Sequence, residues 1–127
     1  MTTWAAPITA ITLFVGDLAA ARAFYTRVFD LPVHFEDDVS CVFDFENTLV
    51  NLLLATEAGE LIEPAIPGAD GAGPRMQLTI TVDDVDAACA RVTEAGATLL
   101  NGPQDRPWGV RTACFADPAG HIWEIAK

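Results

Sequence analysis

The feature that most constrains this chain is a pattern it uses twice. Residues 12–23 read TLFVGDLAAARA and residues 79–90 read TITVDDVDAACA, and aligned without gaps they share Thr, Val, Asp and several Ala. Each copy is a short β-type run, then an Asp, then a helical pattern. In the first, Asp17 is placed to cap the helix. Leu18, Ala21, Phe24, Tyr25 and Val28 follow as one apolar stripe. Leu31-Pro32 closes it, because a residue before proline is pushed out of the α region. In the second copy Asp83 or Asp84 caps, Val85, Ala88, Cys89, Val92 and Ala95 form the stripe, and Gly96 supplies a left-handed stop.

Strand-like runs come after each helix: VHFED, VSCVFDF and TLVNLLLA in the first half, ATLLN, VRTACFA and HIWEIA in the second. Each half therefore reads β-α-β-β-β. The expectation is a single α+β domain over residues 1–127 with one module at about 7–55 and another at about 75–127. The stretch at 56–74, rich in Gly, Pro and Ala, reads as a linker, too long for an ordinary connection. Two units make a duplicated half-domain, since a solenoid needs at least three. A four-stranded sheet with its helix on one face leaves the other face uncovered. Two such modules can form a curled mixed sheet with a shared concave cleft, a place for a small ligand.

Composition narrows the partners. Seven Lys plus Arg against eighteen Asp plus Glu give a net charge of −11. Phosphate binding depends on clustered basic residues, so nucleic acid is excluded as a partner. No apolar run approaches the roughly 20 residues that span a bilayer, which excludes a membrane-spanning role. The opening MTTWAAPITAITLFV carries no Lys or Arg before its apolar stretch and does not read as a secretory signal. Cys41, Cys89 and Cys114 are an odd count without CxxC spacing. They read as reduced thiols, and the expected compartment is the cytoplasm.

Three stretches in order carry a family resemblance: LFVGDLAAARAFYTRVFDLPV at 13–33, ITVDDVDAACARVTEAGA at 80–97, and PWGVRTACFADPAGHIWEI at 107–125. With the duplication behind them, the chain resembles the vicinal-oxygen-chelate superfamily of glyoxalase I, bleomycin-resistance proteins, fosfomycin-resistance enzymes and extradiol dioxygenases. In metal-using members four inner-face side chains hold one divalent ion, which acts as a Lewis acid on the substrate. Carried onto this chain, the resemblance puts those positions at Ala10, Asn51, Gln77 and Glu124. Alanine has no donor atom, and two neutral amides are poor ligands for Zn²⁺, Ni²⁺ or Fe²⁺. The expectation is no cofactor, with a divalent metal disfavoured. His34 and Glu36 share a strand face, but His121 lies on the opposite face from Glu124, so they build no convincing replacement site.

By strand alternation the inner faces carry Ile8, Ala10, Thr12 and Phe14, then Leu49, Asn51 and Leu53, then Gln77, Thr79 and Thr81, then Ile122, Glu124 and Ala126. Ligand-binding candidates are Ala10, Phe14, Asn51, Leu53, Gln77, Thr79 and Glu124, with Trp108 as a flat surface in the Pro-Trp-Gly loop. Two outcomes stand open for Glu124. It can hydrogen-bond the side-chain amides of Gln77 or Asn51, or it can face an apolar cleft, where desolvation raises its pKa and it awaits a ligand. The chain looks like the bleomycin-resistance branch, which implies a homodimer that sequesters a hydrophobic, cationic molecule such as an antibiotic. The rival is an enzyme, either a glyoxalase-like lyase or isomerase, or a dioxygenase relative. It would use Glu124 as general base or with a non-standard metal site.

Overall fold

The computed structural model describes residues 4, 5 and 7–127. In chain order the elements are β1 (Ala10–Val15), α1 (Leu18–Phe29), β2 (Val33–Glu36), β3 (Ser40–Asp44), β4 (Leu49–Leu54), α2 (Ala55–Ile62), β5 (Gln77–Thr81), α3 (Val85–Glu94), β6 (Leu99–Asp105), β7 (Arg111–Ala116) and β8 (Ile122–Ala126). The strands form two mixed sheets of four, ordered β1-β4-β3-β2 and β5-β8-β7-β6. The first strand of each module runs parallel to the last, and the other pairs are antiparallel. The duplication in the sequence is thus a duplication of topology.

Both helices start where the repeated Asp stands. Asp17 accepts from the Ala20 N–H and Asp84 from the Ala87 N–H, each at 3.0 Å, so Asp84 and not Asp83 caps α3. The helix α1 stops one turn short of Pro32, with Asp30 in the left-handed region at φ 55°. Gly96 at φ 108° follows the end of α3, where a Cβ would press on the Arg27 guanidinium. Of the stripe residues, Ala21, Phe24, Tyr25 and Val28 on α1 and Val85, Cys89 and Val92 on α3 are buried, while Leu18, Ala88 and Ala95 are partly buried against the core.

Two stretches depart from the expectation. Residues 55–62, mostly inside the segment read as linker, form α2, which buries Ala58 and packs on β4 and β1. The last strand-like run before β7 was expected to end at Asn101, but β6 continues through Gly102 and Pro103 to Asp105. It does so with register shifts around Asn101. Pro103 lacks an N–H to donate, and an edge strand is where a sheet tolerates that.

One core joins the modules. Leu13, Val15, Val50, Leu52, Phe43 and Cys41 from the first sheet, and Ala113, Phe115, Trp123 and Ile125 from the second, belong to a single cluster with both stripes. Tyr25 on α1 stacks on Phe43 of β3 and meets Trp123 of β8 edge-on, and Phe24 reaches Phe115 of β7. The helix side of each sheet therefore faces the shared interior. The opposite side of each sheet, here called its open face, is left uncovered by its own helix.

Candidate binding site

On the first sheet the open face is set by the parallel register of β1 with β4. Ala10 lies beside Leu49, Thr12 beside Asn51, and Phe14 beside Leu53. Leu53 is buried, Phe14 and Asn51 are half-buried, and Ala10 is exposed. Asn51 has a covered Oδ1 that meets no hydrogen-bond donor among the described residues. A buried acceptor left unpaired costs about 1–3 kcal/mol.

The second sheet holds the charge. Thr79 on β5 sits in register with Glu124 on β8, and its hydroxyl donates to Glu124 Oε1 at 3.0 Å. Gln77, two residues along β5 on the same face, is exposed and lies beside Ile122. Glu124 thus meets a hydroxyl, and neither the Gln77 nor the Asn51 amide donates to it among the described residues. The question of what a carboxylate does in this strand has a local answer: it stands half-buried on the open face, held by one threonine, while Trp123 and Ile125 on either side enter the core.

Three residues of this face were not singled out by the sequence. Cys114, in register with Glu124 on β7, accepts from the Asn101 amide at 3.3 Å. Arg106 donates to the Thr112 hydroxyl at 2.8 Å and to Asn101 Oδ1 at 2.9 Å. The open face thus carries a guanidinium as well as a carboxylate. Arg106 lies outside any periodic strand pattern, and only the register of β6 with β7 brings it here. Trp108, in the turn between those strands, is 72% exposed and contacts no described ring.

A second polar cluster, in the interior, was also missed. Asp117, buried in the turn before β8, accepts from the Tyr25 hydroxyl at 2.7 Å and lies 2.9 Å from His121 Nδ1. Its other oxygen accepts the Ala119 and His121 N–H groups, and the Trp123 indole donates to the Tyr25 oxygen. Burial pushes the Asp117 carboxyl up, but the donors His121 and Tyr25 outweigh it and hold the group below the usual carboxylate range. Burial first, then the nearby Asp117 charge, pushes the Tyr25 hydroxyl upward, so it stays a donor. His121 is therefore spoken for by the turn. His34 is exposed on β2, while Glu36 is bound by Arg22 at 2.7 Å.

A divalent ion does not fit these positions. Ala10 offers no donor, the Asn51 and Gln77 amides stand on separate sheets, and Glu124 is a single carboxylate. Among the described residues no three His, Cys, Asp or Glu side chains converge. The thiols of Cys41 and Cys89 are buried and pushed up by that burial, so they favour the neutral form.

Fold and site now define a class. Residues 8–125 match the family model of the Glyoxalase/Bleomycin resistance protein/Dioxygenase superfamily, and this chain belongs to it. An uncharacterised protein of Mycobacterium tuberculosis is 29% identical over 125 residues, spanning 91% of this chain and 71% of that one. Among solved structures, a glyoxalase-related enzyme from Fulvimarina pelagi is similar at TM-score 0.81 and 29% identity, covering 94% of this chain and 86% of that one. A lactoylglutathione lyase from Agrobacterium tumefaciens is similar at TM-score 0.75 and 26% identity, covering 94% and 91%. No helix among the described residues is long and apolar enough to cross a membrane.

Proposed function

We propose that this chain binds a hydrophobic, cationic small molecule on its open sheet faces without a metal ion, as a homodimer whose faces enclose the ligand. The observation that carries this reading is the Thr79–Glu124 pair, a lone carboxylate aimed by a hydroxyl. Its strand neighbours on that face are Ile122 and Ala126. A carboxylate so placed answers an ammonium, and the aliphatic neighbours answer the body of the ligand. Arg106 on the same face favours an acceptor atom elsewhere on the molecule. Pairing is supported by the large apolar side chains left at the surface, Trp4, Ile8, Phe35, Met76, Leu100 and Trp108 among them. Sequestration of an antibiotic is the specific form this function takes in the reading.

Titration of metal-stripped protein with a panel of hydrophobic amines, followed by tryptophan fluorescence, tests it. The expected result is saturable binding at micromolar concentration or tighter, weakened about tenfold or more by Glu124→Gln. A flat response across the panel contradicts it.

The likeness to a lactoylglutathione lyase favours one second reading, a lyase or isomerase with Glu124 as general base. A positioned base contributes about 10²–10⁴-fold. That reading expects turnover that vanishes in Glu124→Gln while ligand binding survives.

A further inference from the structure

One cavity does not touch Glu124. It lies on the helix side, where the C-terminal end of α1 and the turn after β3 approach the start of α3, and it encloses about 590 Å³. Its floor is aromatic and aliphatic: Phe29, Phe45 and Phe115, with Ile80, Val82 and Val92. The Phe29 and Phe45 rings meet edge-on at 5.2 Å, and Phe45 stacks on Trp123 behind it at 5.3 Å. That volume lies within the roughly 300–1,000 Å³ of ordinary small-molecule pockets, which are lined mostly by apolar and aromatic side chains.

Its rim has one sign of charge. Asp30, Asp44, Glu46, Asp83 and Asp84 line it, against the single cation Arg91. Arg91 is already paired with Asp30 at 3.0 Å. The N-terminus of α3 opens here and alone would favour an anion, but the Asp84 carboxylate already accepts the Ala87 N–H there. Asp44 accepts the Glu46 N–H, while the carboxylates of Glu46 and Asp83 accept no hydrogen bond among the described residues. Negative charge therefore surrounds an apolar floor, and the one lining cation among the described residues, Arg91, is taken up by Asp30. Low-dielectric walls lined by one sign focus the field on a charge of the other sign.

We infer that this cavity is a second small-molecule site, taking a hydrophobic monocation whose aromatic or aliphatic body lies on Phe29, Phe45 and Phe115 and whose ammonium meets Glu46 and Asp83. The site is separate from the open faces, and its failure would leave the reading of Glu124 intact.

The test uses three isosteric probes on the full chain: 1-naphthylmethylammonium, neutral 1-naphthalenemethanol and anionic 1-naphthoate, each followed by ¹H–¹⁵N NMR. The ammonium should shift the amides of residues 29–31, 44–46 and 82–88. It should bind about fivefold or more tighter than the alcohol at low salt, and lose that advantage at about 0.3 M salt, where exposed charges are screened. Naphthoate should not bind there. Glu46→Gln with Asp83→Asn should cut the ammonium's affinity, read from the amides of residues 29–31, 44–46 and 82–88, about fivefold or more. Both altered carboxylates are exposed, so the fold should survive, and the NMR spectrum reports it directly. Ammonium and alcohol binding alike, shifts confined to 77–81 and 122–126, or no shifts at all would each overturn the inference.

Discussion

Glu124 shows how one hydroxyl can define a site. The Thr79 hydroxyl holds one carboxylate oxygen and leaves the other to an incoming donor. Thr79→Val keeps the β-branched shape on an exposed strand position, so stability should move by less than about 0.5 kcal/mol. Affinity for a hydrophobic amine should fall about threefold to tenfold, read by fluorescence titration. Unchanged affinity would separate Thr79 from the site. Asp117 works in the opposite direction, inward. With its folded-state pKa held low, its contribution to stability is present above the ordinary carboxyl value of about 4. That contribution fades as pH falls through the depressed value. Asp117→Asn should cost about 2–4 kcal/mol at neutral pH in urea unfolding, and should flatten the fall in stability below about pH 4. A variant as stable as the parent would mean the network of Tyr25, His121 and Trp123 holds without its charge.

At the scale of elements, the repeated Asp fixes where each helix begins. Asp17→Ala should cost about 0.5–2 kcal/mol, measured by thermal or urea unfolding, because the first turn of α1 then loses a side-chain acceptor. How far these elements could be read from sequence depended on the range of the interactions that set them. Caps, stripes and the strand run HIWEIA are local, and their periodicity exposed them, so the two βαβββ units and the face of Glu124 were legible. The helix α2 was not, because its covered face of Ala55, Ala58, Gly59 and Ile62 is short and small and stands in a stretch rich in glycine and proline, and the helix rests on β4 and β1. The extension of β6 past Pro103 was hidden for a similar reason: an edge strand can keep a proline that propensity would read as a stop. Arg106 and the Asp117 cluster depend on pairings 6 and 92 residues apart, Arg106 with Thr112 and Tyr25 with Asp117. No local pattern records such pairings.

For the whole molecule, the decisive fact is which sides of the sheets meet. The helix sides share one core within the chain, whereas the open faces keep Thr12, Gln77, Thr79 and Thr81 exposed. Two copies placing open faces together would bury exposed Thr12, Gln77, Thr79 and Thr81 and bring Asn51 and Glu124 within one enclosure. Sedimentation equilibrium should therefore show a species of twice 13.6 kDa, and a monomer at every concentration would contradict the pairing. In the proposed function Glu124, without a metal, holds a hydrophobic cation. Isothermal titration of such an amine into chelator-treated protein, beside Glu124→Gln, tests it most directly. Saturable binding that survives the chelator and falls about tenfold or more in the variant is the result expected. Binding that appears only when Zn²⁺, Ni²⁺ or Mn²⁺ is restored, or that ignores the loss of the carboxylate, would contradict it.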